Sequence, residues 1–436
     1  MMKGFRFFRR DSVRELKSWV DDGLISAEQG EAILSRSGAS WQDAEGHSFG
    51  YFLLTAMAAL FAGLALILIM SHNWDEIPRM ARMLGLILLT LVVNLQGARV
   101  FLAGKEQAGV IWLFFGGLCY GASIMLIAQI YHLGEHYPDG ILWWALGILP
   151  LAALCRSRLL ALQVLALAII WMFVESFEDF FPALFPLFAL VTLWVSLVAG
   201  SSRLLFLLSI LSLLLWLNLL MNWYLGDWWQ YHWEPDTLAI NIALGLMLAG
   251  GAWRMMSANR FHLKAYGHAL QHCVLLLGIF TLVVLSFDGM WRELRTELTW
   301  SGSILTMIVG AASICAIALS WHSSIFARIA LGANGLFYTL GFLNTEMMLL
   351  PDQVMTVLTN LMLVFTGIYS IRRGIDESNG TAFYTGVSVL LLTALLRYFD
   401  LVGDYIGGAM LFMLCAAVLY GAARYWRYRR EAAREE

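Results

Sequence analysis

His132-Leu-Gly-Glu135-His136 has the spacing in which two imidazoles on one helical face hold zinc while the glutamate polarises a bound water. That chemistry needs a rigid helix through both histidines. Gly134 interrupts the segment and Pro138 follows it, so the helix ends there and no zinc site is expected. Asp75 and Glu76 are adjacent carboxylates, able to cap a helix or move a proton, in Asn73-Trp74-Asp75-Glu76-Ile77-Pro78-Arg79. Gln129 is an amide inside an otherwise apolar run, with donor and acceptor on one side chain. Asp139 follows in Pro138-Asp139-Gly140. Arg397 closes another apolar run, and its guanidinium needs a carboxylate or water. Asp75, Glu76 and Asp400 are the expected partners.

Asn73, Trp74, Asp75, Glu76, Arg79, Gln129, His132, Asp139, Arg397 and Asp400 are therefore the candidate lining of one outward-facing polar pocket, grouped by shared depth at helix ends. A second set of amides, Asn94, Asn218, Asn241, Asn334 and Asn360, sits deeper in apolar runs and could mark a path. No catalytic residue is assigned. The chain has no phosphate-binding glycine loop, no Ser/His/Asp order and no haem motif, so no cofactor or metal is expected. Its five cysteines lie in or beside apolar runs without paired spacing and read as small buried residues.

The elements that must position these residues are membrane helices. Of 436 residues, 60% are hydrophobic and 14% are charged, where soluble domains carry about a quarter charged. Mean hydropathy is +0.71. Apolar runs fall at 49–71, 80–97, 108–131, 141–155, 158–174, 182–199, 203–220, 237–252, 266–287, 300–320, 324–342, 352–371, 380–397 and 405–423. Continuous apolarity specifies helices, because a barrel strand would alternate over about ten residues. The fold class is all-α: a polytopic integral membrane bundle of fourteen transmembrane helices, with twelve the alternative because 141–155 and 237–252 are short.

Charge tests the count. With the N-terminus inside and strict alternation, 23 of the 28 basic residues face the cytoplasm, while only Arg79, Arg82, Arg292, Arg295 and Arg397 fall outside. Of the 31 acids, 17 fall outside. One missed span would invert every later loop, so the count is even and both termini are cytoplasmic. The basic residues are explained by topology, which argues against nucleic-acid binding.

Residues 1–48 read as a small cytoplasmic helical hairpin and linker, 49–423 as the transmembrane domain and 424–436 as a basic and acidic tail. No cleavable signal peptide is expected, and the run from Gly50 directs insertion. In the hairpin, Asp22-Gly23-Leu24 forms a turn and Ser26 with Gln29 makes a partial capping box. So short a unit buries little surface, which suggests a protein partner. Trp291, Leu294 and Leu298 give Met290–Leu298 the pattern of an amphipathic surface helix. Gly117-x-x-x-Gly121 invites close helix packing, and the aromatic loop Asn222–Glu234 suits the headgroup region.

GLISAEQGEAIL at 23–34, NWDEIPR at 73–79, YGASIMLIAQIYH at 120–132 and PDG at 138–140 resemble the domain-of-unknown-function 2157 family of bacterial predicted membrane proteins. RYFDLVGD at 397–404, with the span and basic tail after it, is similar to full-length members. The likeness is strongest over 49–160 and includes His132, not His136. It implies a multi-pass protein of the bacterial inner membrane, surrounded by lipid, and no particular activity.

Three functions are open at this point: a transporter or lipid flippase, a sensing or assembly protein that binds a partner through the hairpin, and an enzyme on a lipid-linked substrate with His132 or Asp75 as acid–base group. The enzyme ranks last. The single outer pocket predicts that cysteines at positions 75 and 397 crosslink in membranes; a pair that never crosslinks removes that pocket.

Overall fold

The computed structural model describes residues 77–133, 136–199, 202–225, 235–258, 261–287, 289–298, 300–377 and 379–401, together with 22–31 and the isolated positions 16, 19, 20, 61, 413, 416, 417, 420, 421 and 424. Their contacts divide into two units, 1–86 and 87–436. In the first, the Ser26 amide donates to Gln29 Oε1 (3.0 Å) and the Gln29 amide donates to Ser26 Oγ (3.2 Å). This is the reciprocal capping box, and it starts a helical turn at 27–31. The wider hairpin and the runs 49–71 and 405–423 lie largely outside the described residues.

From residue 79 the regular elements are helices only, among the described residues. They are α1 Arg79–Leu102, α2 Glu106–Tyr131, α3 Pro138–Leu154, α4 Arg158–Phe177, α5 Phe185–Val198, α6 Arg203–Leu225, α7 Pro235–Met256, α8 Phe261–Leu285, α9 Met290–Glu297, α10 Gly302–Leu319, α11 Ile325–Met347, α12 Asp352–Asp376 and α13 Gly380–Leu401. Ten of these are long and apolar enough to cross a membrane. The run at 237–252 extends to full span length in α7, whereas α3 and α5 are shorter, at 17 and 14 residues. Pro186 in its first turn fixes where α5 begins, so the run from 182 yields a helix only from Phe185. At 1.5 Å per residue α5 spans about 21 Å, against about 30 Å of hydrocarbon.

Serine caps set several boundaries. Ser157 accepts from the Leu160 amide, Ser301 from Ser303 and Ser324 from Ala327, each satisfying a helix-start donor that lipid would leave bare. α2 and α11 end on left-handed residues, His132 (φ 52°) and Met348 (φ 48°).

Unit 87–436 holds two cores. The first is built on α2 to α6 around Leu160, Val164, Phe185 and Phe188. Here the glycine pair acts as expected: a Cβ on Gly121 would collide with the Trp144 indole, and one on Gly117 would come within 2.9 Å of Ile148. The Trp144 Nε1–H instead donates to the Gly117 carbonyl at 2.8 Å. The second core, on α7 to α13, surrounds Leu282, Leu305, Val309 and Leu363. α9 lies on it with Trp291 and Leu294 buried and Leu298 packed alongside. The Trp291 indole donates to Thr359 Oγ1 at 3.0 Å, and Arg295 makes a two-pronged ion pair with Asp352, both contacts at 3.0 Å.

A third, small cluster joins the cores. Tyr266 of α8, fully buried, stacks on Phe206 of α6 with ring centres 4.5 Å apart. Its hydroxyl donates to the Ser196 carbonyl at 2.6 Å and accepts from the Ser202 amide at 3.1 Å. The tyrosine thus closes the connection between α5 and α6 from the other core.

Helix-end contacts sort into two groups. His136 before α3 meets Glu175 near the end of α4, Arg295 meets Asp352 at the start of α12, and Ser303 meets Glu346 near the end of α11. Arg158 at the start of α4 donates to the Ala199 carbonyl after α5, and Arg373 near the end of α12 stacks on Trp253 near the end of α7. The first group joins ends where the charge pattern gathers acids, and the second joins ends where it gathers arginine and lysine.

Replacing Tyr266 with Phe keeps the ring stack and removes both hydroxyl hydrogen bonds. Leaving a buried carbonyl and amide without that partner costs about 1–3 kcal/mol. The expected outcome is a lower thermal midpoint of the purified protein, with a smaller change for Ser196→Ala, which keeps the carbonyl that Tyr266 uses and loses only the serine's own bond to the Leu193 carbonyl.

Candidate functional site

Residues named from the sequence fall in different places. Asn73, Trp74, Asp75 and Glu76 lie outside the described residues, as does the side chain of Asp400. Arg79 opens α1 and is exposed; Gln129, in the last turn of α2, is exposed too, as are His132 and Asp139. His132 caps α2 in the left-handed region, its amide donating to the Gln129 carbonyl at 3.4 Å. Arg397 reaches α8 and the residues just after it: Nη2 donates to Ser286 Oγ at 3.4 Å and the guanidinium lies 5.5 Å from the Phe287 ring centre.

The histidine with a described side-chain partner here is His136. Its Nε2 lies 3.1 Å from Glu175 Oε2, the oxygen that also accepts from the Trp171 indole at 3.1 Å. The imidazole packs edge-on against Phe180, with ring centres 4.5 Å apart. This trio fastens the α2–α3 connection to the end of α4. Nothing in the sequence spacing pairs positions 39 apart. Among the described residues no group of three or more His, Cys, Asp and Glu could hold a metal ion.

The larger feature lies in the second core. α6, α7, α8, α11 and α12 line a half-open cavity of about 510 Å³. Leucines dominate its wall, interrupted by amides and hydroxyls: Asn218, Asn241, Gln271, Asn334, Thr366 and Tyr369. Such a volume lies within the range of about 300–1,000 Å³ typical of small-molecule sites. A wider groove of about 850 Å³ runs between α8 and α13 past His272, Tyr384 and Ser388, but it is an open furrow.

Polar side chains in apolar helices usually turn back on their own backbone. Asn94, Asn218, Asn334 and Asn360 each donate to the carbonyl four residues earlier, at 2.7–2.9 Å. Thr339, Thr359 and Thr393 do the same at 2.7–2.8 Å. Asn218 and Asn241 also bond each other reciprocally across α6 and α7, at 3.0 and 2.7 Å. The cavity residues Gln271 (Oε1), Thr366 (Oγ1) and Tyr369 (hydroxyl) leave atoms unmatched, as do Gln163, Thr237, Asn360 and Ser370 outside its wall. These atoms are buried and meet no hydrogen-bond partner among the described residues. An unmatched polar atom costs about 1–3 kcal/mol, and three of them belong to residues that line this cavity.

By rise along the helices, Asn241 lies about 9 Å past the start of α7 and Gln271 about 15 Å past the start of α8, which runs the opposite way. The two amides therefore lie about 10 Å apart in depth, one nearer each end of the bundle. Near one end, Trp253 lines the cavity and carries the Arg373 guanidinium at 4.5 Å from its ring centre. Arg373 also holds Glu377 through Nε, 3.0 Å from either oxygen.

Fold and cavity define a polytopic α-helical membrane protein in contact with lipid. Residues 17–161, one third of the chain, match the family model described as a predicted membrane protein, DUF2157. That stretch covers α1 to α3 and the beginning of α4, so the cavity lies beyond it. Neither the curated proteins nor the solved structures give a match.

Sequence reasoning picked out Asn218, Asn241 and Asn334 as amides at depth. It passed over Gln271, Thr366 and Tyr369. Gln271 gives the same signal as Gln129, a lone glutamine in an apolar run, and that signal could have found it. A double-mutant cycle of Asn218→Leu and Asn241→Leu is expected to give a coupling energy of about 0.6–1.7 kcal/mol, the range for polar pairs between membrane helices, read from unfolding in detergent. Additive effects would show that the amide pair does not join α6 to α7.

Proposed function

We propose that this protein is a carrier of the bacterial inner membrane, a transporter or lipid flippase, with the α6–α7–α8–α11–α12 cavity as its passage. Fourteen spans with both termini cytoplasmic remain the topology of this reading, since ten long spans and two shorter apolar helices are described and two further apolar runs flank them. The observation that carries it is the set of three buried, unmatched polar atoms on a cavity wall at membrane depth. A purely structural bundle gains nothing from leaving them so, because leucine and valine would pack there without the penalty. The reciprocal Asn218–Asn241 bond suits a latch: each amide also has an alternative partner in water or substrate when the helices part.

A second reading, a sensing or assembly protein, is favoured by the Ser26–Gln29 capping box. It shows that at least one turn of the polar N-terminal segment is locally specified. Deleting residues 1–40 and finding the same co-purifying proteins would remove that role.

The carrier is tested by thiol accessibility in a background where the five native cysteines are replaced by Ala or Ser. Asn241→Cys is expected to react with a membrane-impermeant reagent added outside and Gln271→Cys with reagent added inside. A scaffold would protect both positions from both sides, and that result ends the carrier reading.

A further inference from the structure

We propose that the cavity takes an electroneutral amphiphile, a molecule with a hydroxyl- or amide-bearing head and a hydrocarbon body. The inference rests on the carrier reading only in treating the cavity as the substrate site.

Charge decides the first part. Among the described residues the wall carries no Asp, Glu, Lys or Arg. An ion inside it would lose its hydration without gaining a counter-charge, and isolated ions at membrane depth are strongly disfavoured. The Arg373 guanidinium is a fixed charge beside the cavity, behind Trp253. Its Nε bonds Glu377 and its face lies on the indole, so its charge is already partly balanced there.

Hydrogen-bond chemistry decides the second part. The three atoms are closed off in this conformation, so side-chain rotation must bring them to a ligand; Gln271 Oε1 only accepts, so the ligand must then present an O–H or N–H. The hydroxyls of Thr366 and Tyr369 both donate and accept. A ligand hydroxyl, which also does both, answers all three atoms; a carbonyl or ether oxygen cannot donate to Gln271. These groups sit on α8 and α12, so the head belongs between those two helices. The rest of the wall, including Leu214, Leu215, Leu246 and Leu275, offers only hydrocarbon contact. A head and tail of that kind would pass without moving net charge, so its passage would not respond to the membrane potential.

The test uses the full-length protein in nanodiscs of phosphatidylcholine and three fluorescent probes with the same acyl chains: a diacylglycerol, a phosphatidylglycerol and a cationic trimethylammonium lipid. The diacylglycerol is expected to bind at least about tenfold more tightly than either charged probe. Gln271→Leu and Thr366→Val should each weaken it by roughly two- to tenfold, the effect of one lost hydrogen bond. Helical circular dichroism and elution volume identify any variant that fails to fold, and Thr393→Val, away from the cavity, serves as a control. Equal or tighter binding of a charged probe overturns the proposal, as does equal binding of all three or an unchanged affinity in both folded cavity variants. Selective binding with thiols that never become accessible leaves the ligand class standing and removes the carrier. Accessible thiols with preference for a charged probe do the reverse.

Discussion

Every polar group placed in hydrocarbon must find its partner inside the protein, and that constraint shapes this molecule at each scale. At the backbone it is met here by helices, each closing its own hydrogen bonds. At the side chains it selects a recurring solution, in which asparagine, threonine and serine bond the carbonyl one turn back. Between helices it produces the Asn218–Asn241 pair, the Trp144 bond to the Gly117 carbonyl and the Trp291 bond to Thr359. The rule has exceptions, some at the cavity and some away from it. α12 shows both within one helix: Thr356 and Thr359 are satisfied locally, whereas Thr366 and Tyr369 on the cavity wall, and Asn360 Oδ1 and Ser370 Oγ off it, meet no described partner.

The same constraint explains what could be read from the linear sequence. Spans, caps and the short surface helix depend on neighbours within a few positions. The Ser26–Gln29 box, the Gly117–Gly121 contact face and the burial of Trp291 and Leu294 were legible for that reason. The apolar run at 182–199 matches α5 to within a few residues, the helix beginning at Phe185 with Pro186 in its first turn. The cavity depends on five helices meeting, and positions as far apart as Asn218 and Tyr369 share it. Hydropathy reports that a residue is surrounded by apolar neighbours; it does not report whether its own backbone turn has a free carbonyl within reach. Gln271 and Gln129 therefore look alike on paper, although one borders an internal space and the other is exposed at a helix end.

The polar residues at the helix ends have a different standing from those in the cavity. Arg295 with Asp352, and His136 with Glu175 and Trp171, tie one connection to another where water is near. Such contacts align neighbouring helices and fix which ends lie together. The chemistry of recognition, by contrast, belongs where water is scarce, since there a single hydrogen bond discriminates between ligands most strongly. The division leaves His136 as a fastener and the neutral amides and hydroxyls of the interior as the groups of the proposed site.

Tyr266 carries a consequence for how the chain is made. The Ser202 amide it satisfies is 64 positions earlier in the chain, and the Ser196 carbonyl 70 earlier. A ribosome feeding this protein into the membrane completes α5 and begins α6 well before that tyrosine exists. The early helices can enter the bilayer in order, but the turn joining α5 to α6 reaches its final form only after α8 has been synthesised. The Ser196 carbonyl and the Ser202 amide thus wait for this partner until the second half is translated, and a chain halted between them would leave both without it.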